Sequence, residues 1–306
     1  MMVCMLMLSV LLIITGCVEA PKASAEDPTQ DSIAQDLGPI LYHSWDGFCS
    51  MSAQAPAAAL CVKSNYTAAQ WRPLGEQIVA ENSGKVVFLD SRGNLIGRAL
   101  KGSGICPIWS PDGQYVYAVN YKLGTAIERW DSFGKNRVIV PITGLNTLQL
   151  QPTTKSSLTM IQLISFSPSG KRVALLTRDF KEMLIADVND KSLSARSVLP
   201  RGFSYVAQSV WLDDEHLLFV GRQDSTRGEL WELDVNSGTT IRRGIEKLWL
   251  RDFVTLSPDR QSVIVTASED GKPTSWNLWQ YFLDTSQAKQ LTTSLNAEDV
   301  EPAWRH

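Results

Sequence analysis

The sequence predicts an all-β fold, a closed ring of six four-stranded antiparallel sheets, and three observations carry that reading. An aromatic or leucine residue, a tight turn and an alternating strand recur along the chain with a period near 45 residues. Each period has room for four short strands separated by Asn, Asp and Gly turn residues. The chain also begins on the last three strands of a period and ends on a first strand, so its two ends complete one sheet.

The clearest copy is Trp109-Ser110-Pro111-Asp112-Gly113, followed by Gln114-Tyr115-Val116-Tyr117-Ala118-Val119. Pro111 sets φ for the first central turn position, and Gly113 can take the positive φ that closes the turn. Trp109 precedes the turn, where a large apolar ring can be buried between layers. Degraded copies start at Trp71, Phe166, Trp211, Leu256 and Trp304, giving successive spacings of 38, 57, 45, 45 and 48 residues. Such a period, with several short strands in each, is the signature of a β-propeller.

Within the periods, Val86 to Asp90 pairs with Leu95 to Arg98, and Leu230 to Asp234 pairs with Thr240 to Arg242. At the front, Pro39 to Ser44, Phe48 to Ala53 and Ala57 to Val62 supply a second, third and fourth strand. Glu298 to Trp304 supplies the missing first one. The expected fold is therefore a six-bladed β-propeller of four-stranded antiparallel blades, its last blade closed by N- and C-terminal strands. Closure of that kind removes free sheet edges that would otherwise template aggregation.

The N-terminal stretch has a different composition. Met2 to Gly16 is an uncharged run of 15 residues, short for a membrane span and right for the apolar core of a signal peptide. It ends in Ile14-Thr15-Gly16-Cys17, which resembles the lipobox of bacterial lipoproteins. The resemblance implies cleavage before Cys17 and acylation of that residue. Val18 follows in place of the Asp associated with inner-membrane retention, which in a Gram-negative host implies the outer membrane, facing the periplasm. Residues 1–16 are thus expected to be a lipoprotein signal peptide and 17–38 a lipidated Cys with a flexible tether of Ala, Pro, Asp, Gln and Ser. Residues 39–306 are expected to form the propeller.

The Trp109-Ser110-Pro111-Asp112-Gly113 core with its flanking strands resembles the WD-repeat-like propeller of the TolB family, over residues 39 to 306. TolB carries an α/β domain ahead of its propeller, for which this sequence has no room. The resemblance implies the fold; function has to be read from the residues.

With 29 basic and 32 acidic residues the net charge is -3, and no basic stripe supplies phosphate neutralisation, which excludes nucleic acid as the main partner. Three His are scattered, with His43 and His216 in second strands of different blades, where a structural role is expected. No catalytic residue, metal site or cofactor is assigned. Glu298, Asp299 and Glu301 could face the central channel, and paired carboxylates there would serve a hydrolase or lyase acting on a glycan. Cys106 is expected to be a buried thiol in a first strand. If Gln54-Ala55-Pro56 turns its hairpin, Cys49 stands directly opposite Cys61, and an exported protein would oxidise the pair to a disulfide.

The reading that results is a monomeric, non-catalytic envelope lipoprotein that binds a protein or other extracytoplasmic ligand. Strand order puts the second-to-third and fourth-to-first connections on the face opposite the Ser-Pro-Asp-Gly turns. Long loops fall there, including the insertion from Gly144 to Thr159, and such loops on rigid scaffolds are where ligands are met. The expected binding residues on that face are Tyr66, Arg178, Tyr205, Arg222, Trp249, Arg251, Lys272 and Asp299.

Overall fold

The computed structural model describes residues 39–305 apart from 45–46, 63, 103, 145–160, 189–191, 200–201, 224–226, 244–246, 270, 272–275 and 294–299. The lipobox with Cys17, the insertion after Gly144, and Lys272, Glu298 and Asp299 lie outside the described residues. Among those described, the protein is all-β, with one 3₁₀ turn at Pro56–Ala58 and no helix long and apolar enough to cross a membrane.

The alternating apolar runs form antiparallel meanders arranged as in a propeller. One sheet joins β1 (Ile40–Ser44), β2 (Gly47–Met51) and β3 (Leu60–Val62) to the C-terminal strand β24 (Val300–Trp304) in the order β24-β1-β2-β3. The next holds β4 (Tyr66–Trp71), β5 (Ile78–Asn82), β6 (Lys85–Leu89) and β7 (Leu95–Ile96). Two further four-stranded sheets follow later in the chain. One holds β16 (Tyr205–Trp211), β17 (His216–Arg222), β18 (Glu229–Asp234) and β19 (Thr240–Arg242). The other holds β20 (Trp249–Leu256), β21 (Ser262–Ser268), β22 (Asn277–Phe282) and β23 (Ala288–Gln290).

Between these lies an eight-stranded sheet, which the sequence pattern does not anticipate. It consists of two meanders. The first is β8 (Gly104–Trp109), β9 (Tyr115–Asn120), β10 (Ala126–Asp131) and β11 (Val138–Thr143). The second is β12 (Ile161–Phe166), β13 (Arg172–Thr177), β14 (Met183–Asp187) and β15 (Leu193–Ser197). What joins them into one sheet is a short parallel pairing of the outer strands, Ile142 with Leu193 and Thr143 with Ser194. The Thr143 hydroxyl, donating to the Leu193 carbonyl at 3.2 Å, reinforces that seam. Tertiary pairing of two outer edges is invisible to local periodicity, because each strand alternates as it would alone.

Apolar side chains between consecutive sheets hold the arrangement together. Leu41, Phe48 and Ala303 pack with Trp71, Ile78 and Leu89. Val79 and Phe88 then meet Trp109, Val116 and Trp130. Ile108, Val119 and Ile127 meet Ile164, Val173 and Leu184. Ala174, Leu176 and Ile185 meet Trp211, Leu217 and Phe219, and Leu218, Val220 and Leu230 meet Leu250, Val254 and Val265. Finally Ile264 and Leu278 meet Ile40, Tyr42 and Met51, which returns the succession to the sheet it left.

The turns after the repeat aromatics are built as their residues dictate. Asp112 Oδ1 accepts from the Ser110 hydroxyl at 2.5 Å and from the Gln114 N–H at 3.0 Å, while Gly113 sits at φ +66°. Ser257, Asp259 and Gln261 repeat the pattern at 2.5 and 3.0 Å, and those two bonds hold the Asp259 carboxyl below its ordinary range. Cross-links run from turn to turn. Arg72 Nε donates to the Gly113 carbonyl at 2.9 Å, Arg172 to the Asp214 carbonyl at 3.1 Å, and Arg260 to the Leu212 carbonyl at 2.8 Å. These carboxylates are structural parts of the turns.

Cys49 and Cys61 are directly opposed in the β2–β3 pair and form a disulfide. A 3₁₀ turn replaces the first residues of the expected Ala57 to Val62 strand, since Pro56 lacks the N–H that a strand pairing would use. Cys106, expected to be buried, is half-buried instead. It lies at φ +50° in a bulge of β8, and its N–H donates to Glu81 Oε2 at 2.9 Å.

Candidate functional site

Bulges recur at one position of the fold. The first strand of each meander is irregular against its neighbour, with shifts between Thr67 and Gln70, Ile105 and Ile108, Ile161 and Leu163, Val206 and Ser209, and Leu250 and Val254. β24 does the same between Val300 and Ala303. A bulge sharpens twist and re-aims the side chains that follow it. All six strands also end the strand order of their sheets.

The halves of these strands after the bulges surround a cavity of about 310 Å³. Its wall is formed by Gln70 and Trp71, Ile108 and Trp109, Ile164 to Phe166, Gln208 to Trp211, Val254 to Leu256, and Pro302 to Trp304. Pro73, Pro111, Pro168 and Arg260 from the turns complete the rim. The cavity therefore lies at the end that carries the repeat turns. No Asp, Glu or His is among the described residues that line it. A volume near 300 Å³ is at the lower edge of what small-ligand sites use.

The aromatic residues of the wall are wedged between sheets. Trp71, Trp109 and Trp211 are only 4 to 5% exposed. Phe88 stacks on Trp109 with centroids 5.6 Å apart, and the Arg72 guanidinium lies 5.3 Å over the same ring. Arg305 covers Trp71 at 4.7 Å, and Phe166 packs against Tyr117 at 4.8 Å. Trp211 Nε1 donates to the Ser165 carbonyl at 3.1 Å, and the Ser165 and Ser209 hydroxyls are 3.1 Å apart.

Tyr66, Tyr205, Trp249 and Arg251 stand at the other ends of the same strands. Tyr205 opens β16 and is half-buried, stacked on Phe180 at 5.4 Å with Arg222 4.5 Å over its ring. The Tyr205 hydroxyl donates to Asp252 Oδ1 at 2.5 Å, and Arg251 Nε lies 4.0 Å from Asp252 Oδ2. Burial, then the hydrogen bond to Asp252, pushes the Tyr205 phenol far above its ordinary range. Tyr205, Arg222 and Arg251 are thus brought together through Asp252. Beneath Phe180, burial and then Asp179 raise the Glu182 carboxyl.

The remaining expected residues are less tightly grouped. Arg178 is exposed in the β13–β14 turn, two residues before Phe180. Tyr66 opens β4 and meets Phe48 edge-on at 6.1 Å. Trp249 opens β20 and packs so closely on Gly271 that a Cβ there would come within 2.8 Å of its ring. Lys272 and Asp299 are outside the described residues. Asp252, Phe253 and Trp276 join this face without having been singled out in sequence, and Arg251 lies 5.7 Å from the Trp276 ring. Asp252 has a readable signal: Arg251-Asp252 is a polar doublet inside a run whose buried apolar positions are Leu250, Val254 and Leu256, and it marks the bulge. Among the described residues, no three His, Cys, Asp or Glu side chains come together as a metal would need.

No protein-family model matches this sequence, and no curated protein sequence matches it either. Solved structures do. TolB from Acinetobacter baumannii superposes with a TM-score of 0.61 at 17% identity, covering 87% of this chain and 66% of that one. A TolB candidate from Agrobacterium tumefaciens gives 0.59 at 12% identity, covering 85% and 91%. The β-propeller domain of the Cps50 (Swd1) protein of Myceliophteria thermophila gives 0.51 at 14% identity, covering 75% and 72%. This chain spans just under two thirds of the Acinetobacter protein's length. These likenesses establish the fold, a β-propeller of the TolB and WD40 kind.

Proposed function

We propose that this protein is a six-bladed β-propeller that binds a protein partner in the bacterial envelope without transforming it. The count of six rests on dividing the eight-stranded sheet at its β11–β15 seam and on the closed succession of apolar clusters. Residues 1–16 act as the signal peptide, Cys17 as the lipid anchor, and 17–38 as the tether to a monomeric propeller over 39–306. The placement is extracytoplasmic, on the outer membrane facing the periplasm in a Gram-negative host. The disulfide between Cys49 and Cys61 supports an oxidising compartment.

The observation that carries the binding reading is the Phe180–Tyr205–Arg222 stack with Asp252 and Arg251 beside it. Aromatic and Arg side chains held in fixed, half-buried positions are the chemistry of interface anchors. Tyr66, Arg178 and Trp249 extend that face, and Lys272 and Asp299 are assigned to it from the sequence alone. The rival reading, a glycan hydrolase or lyase, requires convergent carboxylates. Its candidate carboxylates Glu298 and Asp299 lie outside the described residues.

The test is cross-linking from native membranes. Arg178→Glu and Arg222→Glu are expected to lower recovery of the cross-linked partner about tenfold or more, the loss of a central anchor. Asp112→Ala and Asp259→Ala should lower the melting temperature and leave the cross-link intact. The opposite pattern would place the partner at the turn end.

A further inference from the structure

The end of the propeller that carries the repeat turns holds two apolar side chains that the fold leaves in solvent. Leu74 and Phe133 are 97% and 79% exposed, the two most exposed large apolar residues among those described. The other repeats show what each replaces. Leu74 precedes the residue whose N–H closes the turn onto the Arg72 carbonyl, as Asp112 and Asp259 precede the ones that close onto Ser110 and Ser257. Asp112 and Asp259 also accept a Ser hydroxyl and the N–H two residues on, which a leucine cannot do. Leu74 is held, moreover, at φ +55°, where bulky residues are seldom found. Phe133 stands where Arg92 and Asn236 stand in their turns. The N–H of each donates to Oδ1 of the Asp two residues earlier, at 3.0, 2.9 and 2.8 Å. That bond uses the backbone alone, so nothing in the turn asks for an apolar side chain.

The two tips belong to neighbouring sheets. Arg72 bonds the Gly113 turn, and Gly134, next to Phe133, lies so close to Phe88 that a Cβ there would come within 3.1 Å of its ring. Leu95, 49% exposed and paired with Leu89, adds to the same sector. The chain also enters the propeller at this end, since Ile40 pairs with Trp304 and the Pro39 carbonyl accepts from the Arg305 N–H at 2.7 Å. Charge divides the end in two. The turns at 72–77, 90–94, 110–114 and 131–137 hold four basic and four acidic residues, whereas those at 212–215, 234–239, 257–261 and 283–287 hold one basic and six acidic. A protein interface has a contiguous, closely packed core. Single apolar side chains projecting from a charge-balanced sector suit a zwitterionic lipid surface instead, into which such side chains dip from the headgroup side.

We propose that this sector lies against the bilayer, with Leu74 and Phe133 among the headgroups and the Tyr205 face turned away from the membrane. The placement rests on the lipid anchor at Cys17. The 22 residues from Cys17 to Pro39 span at most about 80 Å even when fully extended. Contact with the bilayer is therefore intramolecular, and two side chains can orient a domain that they could not anchor alone.

The test uses the full chain, purified from membranes and reconstituted in vesicles of phosphatidylethanolamine and phosphatidylcholine. Cys106→Ser removes the described free thiol. In that background Leu74→Cys, Phe133→Cys and, for comparison, Asn236→Cys each carry one environment-sensitive fluorophore. Flotation reads the anchor, and quenching by brominated lipids reads the contact. Probes at 74 and 133 should be quenched several-fold more strongly than the probe at 236. Leu74→Asn, a residue that tolerates positive φ, should raise the melting temperature and yet lower the quenching at 133. A chain that floats with no difference among the three probes would overturn the orientation and leave the anchor standing. So would shielding of 74 and 133 from aqueous iodide without lipid quenching, the mark of a second copy of the chain. A chain that does not float contradicts anchor and orientation together.

Discussion

A chain ending at residue 299 is expected to lose cooperative folding. β24 is paired to β1 through Ile40 with Trp304 and Leu41 with Ala303, so its removal uncovers an entire strand edge. Three links beyond the ladder go with it. The Arg305 N–H donates to the Pro39 carbonyl at 2.7 Å, the Trp304 N–H donates to Thr255 Oγ1 at 3.3 Å, and the Arg305 guanidinium covers Trp71. Pro302 and Ala303 are buried, and Ala303 belongs to the cluster around Trp71 and Leu41. Truncating one such aromatic costs about 3–5 kcal/mol, and a whole domain is stabilised by only about 5–15 kcal/mol. Losing Trp304 together with its strand therefore approaches the total. Thermal melting should show no cooperative transition in the truncated protein and a lowered but sharp one in Trp304→Ala. An unchanged melting temperature after truncation would mean that the two termini do not close the fold.

Cys17→Ser is expected to move the protein from the membrane to the soluble fraction completely. Two or three acyl chains on one residue hold far more firmly than a single chain, which binds a bilayer only marginally and reversibly. Among the described residues no helix is long and apolar enough to cross a membrane. Fractionation of cells carrying the variant reads the result. Retention in the membrane pellet at high salt would show that the run from Met2 to Gly16 stays attached as an uncleaved anchor.

Much of this architecture is legible in the residues. Trp71, Trp109, Phe166, Trp211, Leu256 and Trp304 all end first strands, because an apolar side chain before a Pro-Asp-Gly type of turn has one favourable place, between sheets. The opposition of Cys49 and Cys61 follows from hairpin register, which the intervening turn sets. The union of β11 with β15 does not follow, since parallel pairing of two distant edges leaves no mark in either strand. The bulges leave a faint one. Ala68-Ala69 before Gln70, Ala207-Gln208 before Ser209, and Arg251-Asp252-Phe253 before Val254 each interrupt alternation within about five residues of the repeat residue. Read singly they pass for noise, and only their coincidence shows where the cavity wall begins. Two of its polar lining residues, Gln70 and Gln208, are of a residue type that alternation assigns to solvent.

The central claim, that a protein partner docks at the Tyr205 end of the propeller, is tested most directly by hydrogen exchange on the protein alone and with the partner recovered by cross-linking. Protection should increase at Arg178–Phe180, Tyr205–Val206, Arg222 and Trp249–Phe253, while the turns at Ser110–Gly113 and Ser257–Arg260 stay unchanged. New protection confined to those turns, with none around Tyr205 and Arg222, would contradict the account.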